Sequence, residues 1–174
     1  MSSLWIKNLL RIMVLVLLQV LLFKRINFGW ESFNYFSFII YPLAILLLPV
    51  RTPKVPLIFI AFLIGIIVDL FYDSPGVHAS ASVFLAFIRP YLLRIIEPRG
   101  GYPTQDVGPT KRQFGTNWFL IYTAMGMAAH LIVYFSAEVF TFVFFFEILL
   151  KVIFSFVVSY ICILLYIFLL NPKD

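Results

Sequence analysis

Residues 61–81 read AFLIGIIVDLFYDSPGVHASA. One acid, Asp69, sits inside an otherwise apolar run, and a second, Asp73, follows one helical turn later. Ser74-Pro75-Gly76 then turns the chain, and His78 opens a run of small residues. A carboxylate among acyl chains is expensive, so Asp69 is expected to face protein or water. The stretch therefore predicts a helical hairpin in a membrane, with the remainder of the chain as its scaffold.

Composition supports that setting. Of the 174 residues, 63% are hydrophobic and 12% charged, about half the charge of an ordinary soluble domain. One soluble core of this length could not hide so much apolar surface, so the bilayer must serve as solvent for most of it. The single cysteine, Cys162, leaves no internal disulfide and no multi-cysteine zinc site, and it reads as a packed apolar residue. The net charge of +5 is not read as nucleic-acid affinity, because in a membrane chain the placement of Lys and Arg carries the information.

Outward from the hairpin, six apolar runs are expected to span: residues 8–23, 33–50, 57–72, 77–96, 117–135 and 145–170. Most approach the ~20 residues that a helix needs to cross the hydrocarbon. Pro49, Pro53 and Pro56 are expected to end the second and third helices and stiffen their connection. Lys7 and Arg11 precede an apolar run as in a signal peptide, yet Phe23-Lys24-Arg25 follows instead of a small-x-small cleavage site. The run is therefore expected to remain as a membrane helix. With six spans, one side holds Lys7, Arg11, Arg51, Lys54, Arg94, Arg99, Lys111, Arg112 and Lys173, and the other only Lys24 and Arg25. The positive-inside rule then predicts an all-α polytopic protein, one transmembrane domain over 1–174, with both termini cytoplasmic. The loop 97–116, EPRGGYPTQDVGPTKRQFGT, is expected to be a solvated connection. Its alternative role is to dock a cytoplasmic partner or anionic head groups.

The polar residues within the spans are patterned. Ala61, Gly65, Asp69 and Asp73 recur every fourth residue and form one stripe on the third helix. The fourth helix answers with His78, Ser82, Ala86 and Arg89, after the turn at Pro75-Gly76. Small-xxx-small spacing permits close backbone approach in lipid. Asp69 and Arg89 lie at different depths, so the expected partner of Asp69 or Asp73 is His78, or the backbone N–H groups that open the fourth helix. Arg89 is expected to snorkel toward the inner head groups with Arg94. His130 reads as a hydrogen-bonded packing residue. Glu147 and Lys151, at i and i+4, read as an ion pair, with Ser155 and Ser159 continuing their stripe. No metalloprotease, phosphate-loop or nucleophile-elbow motif is present. Two histidines and one cysteine do not assemble a recognisable metal site.

A chain of this length and span count, with a hairpin of the form Phe-x-x-Gly-x-x-x-Asp followed by Pro-Gly-x-His-Ala, resembles the rod shape-determining MreD family. Phe62, Gly65, Asp69, Pro75, Gly76, His78 and Ala79 carry the match. Outside the hairpin there is no residue-level signature, and the loop 97–116 is longer than the family pattern. The resemblance implies a non-catalytic, cofactor-free scaffold of the bacterial cell-elongation machinery. It also implies binding to MreC, a single-span protein, and work alongside MreB filaments, RodA and a penicillin-binding protein. The implied fold is similar to the substrate-binding subunits of energy-coupling-factor vitamin transporters, with six helices and an outward-facing cavity. On this reading MreC docks near the Asp69–His78 hairpin through small-residue faces, and Gly65→Leu is expected to weaken its recovery. Two other classes remain open. A vitamin-binding transporter subunit is disfavoured because LLRIMVLVLLQVLLF, residues 9–23, lacks an Ala-x-x-x-Ala contact pattern. An intramembrane enzyme on lipid-linked substrates would need several polar groups converging at one depth.

Overall fold

The computed structural model describes residues 2–28, 37–104, 107–139 and 145–170, and all regular structure among them is helical. Helix α1 (Ser2–Leu17), a π-helical stretch (Leu18–Phe23) and α2 (Lys24–Phe28) run on as one rod. A short α3 (Pro42–Leu46) follows, then α4 (Lys54–Tyr72) and α5 (Val77–Ile95) as the hairpin. After α6 (Lys111–Phe114) come α7 (Thr116–Val139) and α8 (Phe145–Leu170). Among the described residues four helices are long and apolar enough to cross a membrane: Trp5–Ile26, Lys54–Tyr72, Thr116–Val139 and Phe145–Ile167. The α5 helix matches α4 in length but is diluted by polar residues. Three of them are turned inward, since His78, Ser82 and Arg89 are buried, while Ser80 and Arg94 are exposed.

The second expected span is corrected. Within 37–50 the chain forms no long helix; residues 37–40 are non-helical and only Pro42–Leu46 is helical, while 33–36 lie outside the described residues. Every residue from Ile39 to Pro49 is buried. Such backbone is tolerated at membrane depth only when protein satisfies its polar groups. Here other helices do so. Ser37 N–H donates to Ser155 Oγ at 2.8 Å and Ile39 N–H to Ser159 Oγ at 2.9 Å. Ser159 Oγ donates back to the Ser37 carbonyl at 3.1 Å. Gln19 serves two further residues, accepting from Ile40 N–H at 2.8 Å and donating to the Phe38 carbonyl at 2.9 Å. Gln19 lies in the π-helical stretch and is completely buried. Gly126 of α7 leaves room for α3: a Cβ there would come within 2.6 Å of the Leu46 side chain.

Local contacts fix which helix ends lie together. Tyr72 and Gln19 are bonded at 2.7 Å, and Lys24 donates to the Phe71 carbonyl beside the Asp73 turn. The α2 end therefore sits at the hairpin tip. At the opposite end Arg51 Nε–H donates to the Pro103 carbonyl at 3.0 Å, and Trp118 Nε1–H to the Ile96 carbonyl at 2.7 Å. Pro103 thus ties the loop 97–116 to the bundle, while Glu97, Arg99, Gly100, Thr104, Arg112 and Gln113 are exposed. Burial pushes the Tyr102 phenol up to about 12, with Tyr122 and Glu97 adding to the rise. Tyr102 so remains a donor to the Leu93 carbonyl at 2.6 Å. Pro53 caps α4, whereas Pro56 lies inside its first turn and does not stop the helix; a missing N–H there removes no intrahelical bond.

Candidate functional site

The hairpin turn assembles around Asp69. The chain leaves α4 through Asp73 in the left-handed region (φ 54°) and enters α5 through Gly76, also left-handed (φ 90°). That geometry points the first N–H groups of α5 back at the Asp69 carboxylate. Oδ2 accepts from Gly76 N–H and Ala79 N–H, each at 3.0 Å. Oδ1 accepts from His78 N–H at 2.9 Å and from the Ser74 hydroxyl at 3.1 Å, and lies 3.0 Å from His78 Nδ1. Asp69 thus caps a neighbouring helix, satisfying orphan donors that a helix start always leaves. The sequence pointed to these same two partners, His78 and the α5 N–H groups.

Ser74, His78 and Asp69 do not form a nucleophile–base–acid relay. Ser74 Oγ and Asp69 Oδ1 both lie 3.0 Å from the same ring nitrogen, Nδ1. A relay needs the nucleophile on one nitrogen and the acid on the other. Nε2 faces elsewhere and has no hydrogen-bond partner among the described residues. The ring is boxed by Tyr134, Tyr72 and Tyr41 at centroid distances of 4.8, 4.9 and 5.7 Å.

Two further polar knots lie along α5. Ser82 Oγ donates to the Tyr41 hydroxyl at 3.3 Å, and that hydroxyl sits 3.0 Å from His130 Nε2. His130 is therefore a packing residue, as its sequence context implied. Arg89 corrects the expectation. It does not snorkel to the head groups; it is 1% exposed. Its Nε–H donates to the Tyr122 hydroxyl at 2.8 Å, and Nη2 reaches the carbonyls of Leu46 (3.4 Å), Pro49 (3.2 Å) and Leu48. The break after α3 frees these carbonyls, and in the interior they offer Arg89 more than distant head groups do.

The expected site residues therefore divide. Asp69, Gly76 and His78 meet directly, with Ser74 added by the structure. Pro75 lies in the same turn, while Asp73 is exposed and pairs with Lys24 at 3.9 Å. Ala61, Ser82, Ala86 and Arg89 are buried along the same two helices but do not join the Asp69 cluster. The small-residue stripe is not a lateral surface. A Cβ on Gly65 would fall 2.4 Å from Ala79 Cα, so the stripe closes the hairpin on itself. Gly65→Ala is accordingly expected to destabilise the fold by roughly 3 kcal/mol, because the obstacle is backbone. An unfolding midpoint in detergent unchanged from wild type would refute this. Lys151 pairs with Glu138 at 3.7 Å instead of Glu147, and Glu147 is exposed. Among the described residues no group of three metal-ligating side chains converges. Gln19 was missed; its partners are distant in sequence, and only its polarity in an apolar run marked it.

No family model, curated protein or solved structure matches the chain.

Proposed function

We propose that the chain is a non-catalytic membrane scaffold of the MreD type, acting in the bacterial inner membrane. It would bind a single-span MreC-like protein and, through it, work with MreB, RodA and a penicillin-binding protein in peptidoglycan synthesis. The observation that carries this reading is the hairpin itself. Six of the seven residues of the resemblance, all but Phe62, have work in one unit: Gly65 admits Ala79, Asp69 caps α5, and Pro75-Gly76 makes the turn that brings His78 to the carboxylate. Against this unit lies a largely apolar notch of about 410 Å³, lined by Phe62, Ile66, Leu70 and Pro75 together with Asp69 and Asp73. The proposed topology has six passes, the buried 37–50 segment supplying the second. The face with Arg51, Lys54, Arg94, Arg99, Lys111 and Arg112 is cytoplasmic by the positive-inside rule. The notch then opens near the outer surface, within reach of the membrane helix of an MreC-like protein and its adjoining outer segment.

Gly65 is internal, so an exposed rim residue tests docking better. Phe62 is 41% and Leu70 75% exposed. Phe62→Ala with Leu70→Ala should lower recovery of the MreC-like protein on mild purification by roughly tenfold, about 1.4 kcal/mol, with an unchanged unfolding midpoint. Identification of the co-purifying proteins by mass spectrometry decides the class. An MreC-like protein and wall synthases support the scaffold. Transporter ATPases with a coupling subunit, or a bound vitamin, would replace it with the substrate-binding subunit.

A further inference from the structure

The loop 97–116 is folded across one end of the bundle. Val50 N–H donates to the Val107 carbonyl at 3.0 Å, and Arg51 Nε–H to the Pro103 carbonyl at 3.0 Å. The Tyr102 hydroxyl reaches the Leu93 carbonyl of α5 at 2.6 Å. The Phe114 ring lies 4.6 Å from Trp118 of α7 and 5.3 Å from Tyr102, centroid to centroid. The loop thus bridges α5, the residues 50–51 and the start of α7, and its Gly108, Pro109 and Thr110 are buried. Among the described residues no large apolar side chain of 97–116 is exposed. A segment that lies on a bilayer turns an apolar face into it. This one has turned its apolar residues onto the protein, so its outer side faces water.

That outer side is cationic. Arg51, Lys54, Arg94, Arg99 and Arg112 are exposed, and Lys111 is half-buried. Among the described residues of the loop Glu97 is the one acid, since Asp106 lies outside them. At the opposite end of the bundle cations have carboxylates close by: Lys24 lies 3.9 Å from Asp73, and Lys151 3.7 Å from Glu138. Here none of the six cations is in an ion pair among the described residues. The positive-inside rule accounts for the sign of this end. It requires neither a folded loop nor charge left without a counterpart. Arg51 spends only Nε on Pro103, which leaves the fork of its guanidinium for a carboxylate.

We propose that this face docks a water-soluble cytoplasmic protein through a surface rich in Asp and Glu. Complementary charge steers such a partner to the face and fixes its orientation there. The proposal rests on the cytoplasmic orientation of this end and not on the MreC reading, whose notch lies at the hairpin tip.

The test is photo-cross-linking in living cells, with benzoylphenylalanine in place of Gln113 in the full chain and the adducts identified by mass spectrometry. The expected adduct is one soluble protein, joined within an Asp- and Glu-rich patch. Arg99→Glu with Arg112→Glu should lower its yield by roughly tenfold, whereas Arg99→Lys with Arg112→Lys should keep most of it. Four of the six cations remain in these variants, which holds the orientation of the chain. Thr104→Cys reports that orientation: a membrane-impermeant maleimide should label it only after the cells are opened. Adducts with lipid alone would give the face to anionic head groups and overturn the proposal. Equal yield from the charge-reversed chain, the absence of any adduct, or labelling of Thr104→Cys in intact cells would overturn it as well.

Discussion

Asp69→Ala should lower the unfolding midpoint in detergent by on the order of 10 °C, a loss of about 3–5 kcal/mol. The carboxylate accepts three backbone N–H groups and the Ser74 hydroxyl, and contacts His78 Nδ1. Alanine leaves all of these without an acceptor, and hydrogen bonds to a charged group are each worth about 1.5–3 kcal/mol. The total stays below their sum because the turn lies at a helix end, where water can reach some of the freed donors. Asn should fall between: its carbonyl oxygen can still serve one side of the cluster, but its NH₂ would face a backbone donor. His78→Ala added to Asp69→Ala should then cost less than it does alone, since its main polar contact has already gone. An Asp69→Ala midpoint equal to wild type would sink the claim that this carboxylate holds the hairpin.

Hydropathy and turn residues were enough to read the hairpin and the later helices. The runs 57–72, 77–96, 117–135 and 145–170 correspond to Lys54–Tyr72, Val77–Ile95, Thr116–Val139 and Phe145–Leu170. Asp69 was legible for a related reason: its partners come within ten residues, across one turn. The 37–50 segment was not. A stretch buried on every side is apolar on every side, whether helical or not, so periodicity cannot separate the two cases. What makes it non-helical is a set of side chains supplied from elsewhere, Gln19 on one flank and Ser155 and Ser159 on the other. Ser155 and Ser159 were visible as a stripe, yet nothing in their spacing says that they receive backbone N–H groups more than a hundred residues away. The notch at Phe62 was equally hidden, because concavity depends on how helices lean together.

Arg89 finds its carbonyl partners in that hidden segment. Arg89→Leu is expected to cost about 3–5 kcal/mol and to loosen the 46–49 turn, read as a lower unfolding midpoint and faster amide exchange over 47–50. Replacing a buried ion pair by apolar residues is often neutral or stabilising. That outcome requires both partners to be replaced. Here Arg89 is in none of the ion pairs among the described residues. Its partners are the carbonyls of Leu46, Leu48 and Pro49 and the Tyr122 hydroxyl. Backbone carbonyls cannot be mutated away, so leucine leaves acceptors buried beside an apolar side chain. Thr52 still donates to the Pro49 carbonyl at 2.8 Å and Tyr122 to Leu46 at 2.9 Å, so the Leu48 carbonyl bears most of the loss. Arg89→Lys should restore less than half, since an ammonium cannot serve the phenol through Nε while reaching the carbonyls with a second nitrogen. Tyr122→Phe, which keeps the guanidinium on its carbonyls, should cost only about 1–2 kcal/mol. If Arg89→Leu instead matches wild type in both midpoint and exchange, the broken segment is held by its apolar packing, and the guanidinium is a passenger in it.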